Sequence, residues 1–182
     1  TCLTYDYGQK HSIEIDRSKE NIAYLSQHGY KVEQSVIDLK SAMSTLQSAL
    51  TSQDVDVPEG HYESSQMKQT VVPNRNAIFS SILYGHALST SISEDCDVRI
   101  ALGVHSGDHE IYPDCRPEFY ESLERSFSIG NWDSERVSFY LPYISGDKAT
   151  ILEDALGSCG SLGVNFDTVL SNTNTSYNPD EK

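Results

Sequence analysis

Basic residues are scarce in this chain. Thirteen lysines and arginines face 27 aspartates and glutamates, a formal charge of −14 over 182 residues. So acidic a surface repels a phosphodiester backbone outside any local basic patch, which argues against a direct grip on nucleic acid. A small anionic substrate would need a local basic focus, and Arg75, Arg116 and Lys148 are the candidates. Cysteine is scarce too. Cys2, Cys96, Cys115 and Cys159 are widely scattered and form no Cys-x-x-Cys pair, so their spacing indicates neither a zinc site nor a disulfide framework. Thiols in a reducing cytoplasm are the simpler reading. No apolar run approaches the roughly 18 residues of a membrane span, and no charged stretch leading into an apolar one opens these residues. Asn174-Thr175-Ser176 has the form of a glycosylation sequon, but nothing else suggests a secreted context.

Phosphate-binding glycine loops are also missing. The segment Gly157-Ser158-Cys159-Gly160-Ser161-Leu162-Gly163 fits neither Gly-x-Gly-x-x-Gly nor a Walker pattern. It follows a helical pattern and precedes an apolar one, the reverse of the order those loops require, so it reads as a helix stop and linker. Ser145-Gly146-Asp147-Lys148 has the Ser-x-x-Lys form of penicillin-recognising enzymes, yet the companion Ser-Asp-Asn and Lys-Thr-Gly elements are absent. Ser145 as a helix cap is the better reading.

What is present suffices for a folded domain. Hydrophobic residues make up 37% of the chain, and 11 tyrosines with 5 phenylalanines give a core aromatic mass. One domain over residues 1–182 is the expectation. Residues 2–5 read as a strand ended by Asp6-Tyr7-Gly8. Residues 12–27 follow a helical period through Ile15, Ile22, Ala23 and Leu25, with Gly29 as the stop. Residues 32–37 alternate as a strand, and 39–50 read as a helix through Leu39, Met43, Leu46 and Leu50. Residues 51–72 form a long polar connection, a length that marks function or disorder. A helix over 76–91 would bury Ile78, Ile82, Leu83 and Ala87. A strand at 98–104, a helix at 117–128, a strand at 137–140, a helix at 147–156, a last strand at 164–170 and a polar tail at 171–182 complete the reading. Strands alternating with helices predict an α/β fold with a mostly parallel, doubly wound sheet.

Chemistry is expected where strands empty into loops, at their carboxyl ends. After the first strand, Gly8 would let the backbone approach a nucleotide, while Gln9 and His11 offer hydrogen bonds; an ordinary strand-to-helix turn has the same composition. In Val72-Pro73-Asn74-Arg75-Asn76, Arg75 near a helix N-terminus suits an anion, although a Pro-Asn turn with an Asn cap explains the spacing equally well. Residues 107–119 read Gly-Asp-His-Glu-Ile-Tyr-Pro-Asp-Cys-Arg-Pro-Glu-Phe. Asp108 and Asp114 offer hydrogen-bond acceptors, Tyr112 a flat stacking surface, and Arg116 a fork that suits a carboxylate. Alternatively, Asp114 caps the helix that Pro117 starts. His105 and His109 have metal-like spacing only if helical, and here they lie in a loop.

These three segments together resemble the 7-cyano-7-deazaguanine synthases, the ATP-dependent ligases that form preQ0 in queuosine biosynthesis. The family shows an Asp-Tyr-Gly-Gln element at Asp6–Gln9 and a Pro-Gly-Arg-Asn pattern at Pro73–Asn76, from which Asn74 departs. Asparagine tolerates left-handed backbone angles better than most residues, so the turn is expected to survive. Lys148 coincides with a lysine that recurs in the family. The resemblance implies a Rossmann-like PP-loop fold of the adenine nucleotide alpha hydrolase type. It implies conversion of 7-carboxy-7-deazaguanine and ammonia to the nitrile, with ATP and Mg²⁺. By the same implication Tyr7, Gly8, Gln9, His11 and Asn76 contact ATP, Asp108, Tyr112, Asp114 and Arg116 contact the substrate, and Lys148 and Arg75 serve catalysis. The implied setting is cytoplasmic, with a homodimer as the candidate assembly and no membrane or nucleic-acid partner.

Family members carry a Ser-Gly-Gly-x-Asp-Ser loop after a first strand and a zinc-binding cysteine cluster near their end. Neither occurs in these 182 residues, so a fragment lacking both ends and its first strand is expected, inactive alone and without zinc ligands. A catalytically inactive remnant that binds a deazapurine, and another PP-loop ligase amidating a different carboxylate, remain open at this point. A missing central strand would leave residues 2–5 and 98–104 about 9.6 Å apart, beyond direct pairing.

Overall fold

A computed structural model describes residues 1–10, 12–46, 48, 71–105, 107 and 112–174. Along the chain run β1 (Cys2–Asp6), α1 (Ile13–Gln27), β2 (Gln34–Asp38), α2 (Lys40–Met43), α3 (Arg75–Glu94), β3 (Val98–Ala101), α4 (Pro117–Gly130), β4 (Val137–Tyr140), α5 (Lys148–Leu162) and α6 (Phe166–Ser171). Single 3₁₀ turns at Pro113–Cys115 and Ser134–Arg136 precede α4 and β4. The predicted α/β alternation with parallel strands is what the structure contains. Two units emerge, Thr1–Pro73 with Glu153–Lys182, and Asn74–Leu152.

In the first unit β1 pairs with β2 in parallel, Cys2 opposite Gln34 and Asp6 opposite Asp38. The crossover between them carries α1, as a parallel pair requires. Ile15, Met43, Cys159 and Val164 are buried in this unit. Much of the remaining order comes from polar stitching. Asn21 on α1 donates to the carbonyls of Val169 (3.2 Å) and Asn172 (3.4 Å), Tyr24 accepts from the Asn165 amide (2.9 Å), and Tyr30 donates to the Leu162 carbonyl (2.6 Å).

In the second unit β3 pairs with β4 in parallel, Val98 opposite Val137, and Leu102 donates to the Tyr140 carbonyl to prolong the ladder. Tyr84, Ala87, Ile100 and Val137 form the core, with Phe127 and Phe139 packed against it. The Tyr84 and Phe127 ring centroids lie 4.6 Å apart, and Tyr120 meets Phe139 edge-on at 5.7 Å, arrangements that aromatic quadrupoles favour. Among the described residues the strands form these two separate pairs, and no ladder joins β1 to β3.

Several sequence expectations change. The predicted final strand is helix α6, because Asn165 caps it: its side chain accepts from the Thr168 amide at 2.8 Å, and this local bond outweighs the β-propensity of Val169. The glycine segment taken for a linker is the last part of α5, anchored through buried Cys159. That helix stops only at Gly163, with φ +66° and the paired bonds Val164 N to Cys159 O and Gly163 N to Gly160 O, a Schellman ending. The expected stop at Gly29 has the same form, with Tyr30 N bonded to Leu25 O. Asp147 rather than Ser145 caps α5, accepting from the Thr150 amide at 2.9 Å, a bond that holds its carboxyl below the usual range. On α3 the buried line is Ser80, Tyr84, Ala87 and Ser91, and Ile78, Ile82 and Leu83 are half-buried. The strand predicted to begin at 32 begins at Gln34, and the one predicted to reach 104 ends at Ala101. The helix predicted over 39–50 is described as α2 and ends at Met43; residues 47, 49 and 50 lie outside the described set, as do 51–70 and 175–182.

Gly157 and Gly160 have open space where a Cβ would stand and ordinary helical backbone. Alanine at each is expected to raise stability by about 0.5–1 kcal/mol, and alanine at Gly163 to lower it by about 1 kcal/mol, as read by urea unfolding. A neutral or destabilising result at 157 and 160 would show that the helix does not run through them.

Candidate functional site

Parallel pairing sends the loops after β1 and β2 out of the same edge of the first unit, and there they interact. Asp6 ends β1, and its Oδ2 accepts from Lys40 Nζ at 2.6 Å; Lys40 opens α2 just after β2. The Lys40 amide also donates to Asp38 Oδ1 at 2.9 Å, so one residue answers both carboxylates brought level by the register. The hydrogen bond from Lys40 holds the Asp6 carboxyl below its ordinary value. Gly8 follows with φ +81°, the left-handed region that favours glycine. The Gln9 amide closes this turn from both sides, accepting from the Tyr7 amide at 2.9 Å and donating to the Tyr5 carbonyl at 3.2 Å. Its hydrogen-bonding capacity is thus engaged in shaping the loop. Tyr7 is buried, and burial pushes the neighbouring Tyr5 phenol up to about 12. His11 lies outside the described residues.

In the second unit the start of α3 and the signature loop come together. Asn74, immediately before α3, is left-handed at φ 59° and ψ 14°, so the turn survives the departure from the family's glycine, and its side chain does not form the cap that the spacing suggested. Arg75 Nε donates to Asn76 Oδ1 at 3.4 Å, and Asn76 Nδ2 approaches Cys115 Sγ at 3.9 Å. Cys115 is buried and ends the 3₁₀ turn, its amide bonded to the Tyr112 carbonyl at 2.9 Å. Tyr120, one turn into α4, is also buried. Burial raises its phenol, Cys115 and Asp114 raise it further, and the Arg75 guanidinium pulls the other way. Arg75, Asn76, Asp114, Cys115 and Tyr120 therefore form one electrostatic neighbourhood.

Asp114 does not cap α4. The capping position belongs to Arg116, with Pro117 in the first turn and no side-chain cap bond. Asp114 is half-buried within the 3₁₀ turn, Tyr112 is half-buried before it, and Arg116 is exposed. Lys148 is exposed at the start of α5. Asp108 and His109 lie outside the described residues. Sequence reading missed Lys40, Cys115 and Tyr120. Lys40 carried a usable signal, since it stands two residues beyond a strand's carboxyl end; the burial of Cys115 and Tyr120 carried none.

No disulfide links any of the four cysteines, and among the described residues no group of three or more His, Cys, Asp or Glu is placed to hold a metal ion. The zinc that the resemblance implies therefore has no matching ligand set among them, and no chemistry is derived through it. No described helix is long and apolar enough to cross a membrane.

The family model of the queuosine biosynthesis protein QueC matches residues 1–182. The chain belongs to the QueC family. Similar proteins include the 7-cyano-7-deazaguanine synthase of Alteromonas mediterranea, 43% identical over 183 residues, and that of Psychromonas ingrahamii, 41% identical over 183 residues. The 7-cyano-7-deazaguanine synthase 1 of Colwellia psychrerythraea is 39% identical over 181 residues. All of this chain is covered in each case, with 74%, 73% and 74% of the respective relative. The recognised motifs of this QueC-family chain thus lie on carboxyl-edge loops and at the start of α3.

Replacing Lys40 with Met should move the Asp6 carboxyl titration up towards the ordinary aspartate value in a carbon-detected NMR titration. Because the folded-state value is depressed, the contribution of Asp6 to stability is present above the unfolded value, about 3.9, and is lost as pH falls through the folded one. The variant should therefore lose stability at neutral pH and converge with the parent in strong acid. An unchanged Asp6 titration would rule out the ion pair as its cause.

Proposed function

We propose that this chain takes part in the ATP-dependent conversion of 7-carboxy-7-deazaguanine and ammonia to 7-cyano-7-deazaguanine. The match of the QueC family model to the full 182 residues carries this reading. The chemistry proceeds by adenylation of the carboxylate with release of pyrophosphate and attack of ammonia on the acyl carbon with release of AMP; a second ATP then adenylates the amide oxygen, releasing pyrophosphate, and AMP leaves with that oxygen as the nitrogen gives up its protons to form the nitrile. Such steps depend on positioning and charge stabilisation more than on covalent chemistry by the protein. ATP enters as its magnesium complex, as substrate. The reading is of a cytoplasmic ligase acting on small molecules, with a homodimer as the assembly to test.

Roles follow the chemistry of each side chain. Asp108 or Asp114 accepts from the N–H donors of the deazaguanine ring. Tyr112 stacks on the heterocycle, and Arg116 holds the carboxylate. Arg75 and Lys148 offset charge developing on phosphate, and Asn76 contacts the nucleotide. In the first unit Gly8 admits close backbone approach, flanked by Tyr7, Gln9 and His11. That Asp114 leaves the capping of α4 to Arg116 favours a ligand role for its carboxylate.

Calorimetric titration tests the substrate assignment. Asp114→Ala is expected to weaken 7-carboxy-7-deazaguanine binding by about tenfold or more, the scale of a lost charged hydrogen bond, with ATP binding changed by less than about twofold. Equal losses for both ligands would remove the assignment. The 182-residue chain on its own should release no AMP or pyrophosphate from ATP, because scattered cationic side chains do not replace a nest of backbone amides. Turnover above a contaminant control would overturn that expectation.

A further inference from the structure

Among the described residues, three that bear side chains have left-handed backbone: Asn74, Asp95 and Asp133. Asp95 has an evident reason, since it ends α3 with the Cys96 amide bonded to the Ser91 carbonyl and is ion-paired to Arg136. Asn74 stands at the opposite end of that helix, where capping residues ordinarily have extended backbone, and its side chain makes no cap bond. Asparagine is among the best capping side chains, so its capping ability is not what this position uses. What it uses is tolerance of φ +59°. The Asn74 carbonyl accepts from the Ile78 amide at 3.0 Å, which starts the helix at Arg75.

The first turn of α3 depends on this junction more than the rest does. The first fully buried residue of α3 is Ser80, followed by Tyr84, Ala87 and Ser91, whereas residues 75–79 are half-buried. Arg75 and Asn76 lie before that anchor, at the helix end, where fraying begins. Yet these two residues form the link from Arg75 Nε to Asn76 Oδ1 and from Asn76 Nδ2 to Cys115 Sγ. We propose that Asn74 is a positioning residue whose left-handed backbone, rather than its amide, holds the first turn of α3 so that Asn76 meets the turn at Cys115 with Arg75 bonded beside it. Its effect on ligand binding rests on the function proposed above; its effect on geometry does not.

The test uses the 182-residue chain with Asn74→Val, the milder Asn74→Ala, and Asn74→Gly, which restores backbone freedom without the amide. Iodoacetamide labelling of Cys115, resolved by peptide mass spectrometry, reports the Asn76 contact, and buried Cys159 serves as internal control. Labelling of Cys115 should rise at least about fivefold in Asn74→Val, by less in Asn74→Ala, and stay within about twofold of the parent in Asn74→Gly, with Cys159 unchanged. Affinity for 7-carboxy-7-deazaguanine should fall about tenfold in Asn74→Val, because the turn that carries Asp114 loses its contact with Asn76, and be kept in Asn74→Gly. That loss should vanish when Asn76→Ala and Arg75→Ala are already present, since the residue acts through them. The proposal is overturned by unchanged Cys115 labelling in Asn74→Val, by Asn74→Gly behaving like Asn74→Val, or by a parallel rise at Cys159, which would mean general loss of fold. Should Cys115 respond as expected while no form, the parent included, binds the deazaguanine, the positioning role stands and the ligand reading fails.

Discussion

Each of the two strand pairs is parallel, and a parallel ladder brings the carboxyl ends of both strands to one edge. In the first unit this sets Asp6 opposite Asp38, two carboxylates at the mouth of adjacent loops. Such a pair repels unless a cation intervenes, and Lys40 supplies it, through its ammonium to Asp6 and its backbone amide to Asp38. The turn through Gly8 then has a fixed floor, and Gln9 closes it from above. Strand pairing, the ion pair and the loop shape are thus successive consequences of one register.

The units hold themselves together differently. An aromatic cluster fills the second, where Tyr84, Phe127, Phe139 and Tyr120 meet at centroid distances between 4.6 and 6.5 Å. Rings of this kind bury much surface with few rotatable bonds, which gives α3 and α4 a stiff footing. The site residues Arg75, Asn76, Asp114 and Cys115 stand at the ends of these two helices, just beyond that footing. The first unit relies more on hydrogen bonds between Asn21, Tyr24 and Tyr30 and the C-terminal segment, with Asn21 and Tyr30 donating and Tyr24 accepting. Polar stitching of this sort is specific in geometry, since each donor must find its acceptor, and modest in net energy.

The sequence alone carried the α/β alternation, the bounds of β4, the start of α4 at Pro117 and the helix stop at Gly29, while the left-handed turn at Asn74 followed from the family pattern. It also carried the family, because the recognised segments are contiguous runs whose residue types follow from local chemistry. Where reading failed, local signals conflicted with a longer-range one. Val164 to Leu170 have strand-like composition, yet a single capping bond from Asn165 makes them helical. Gly157 and Gly160 look like breaks, yet burial of Cys159 holds the helix through them.

Tertiary structure decided which functional groups are engaged with the protein itself. Nothing in the residue order says that Lys40 reaches back to Asp6 or that Asn76 meets Cys115. Register, burial and the direction of a helix end set those contacts, and all three arise only once distant segments have packed. Turn chemistry, by contrast, depends on a residue and its near neighbours, and for that reason the helix stop at Gly29 could be read directly from the chain.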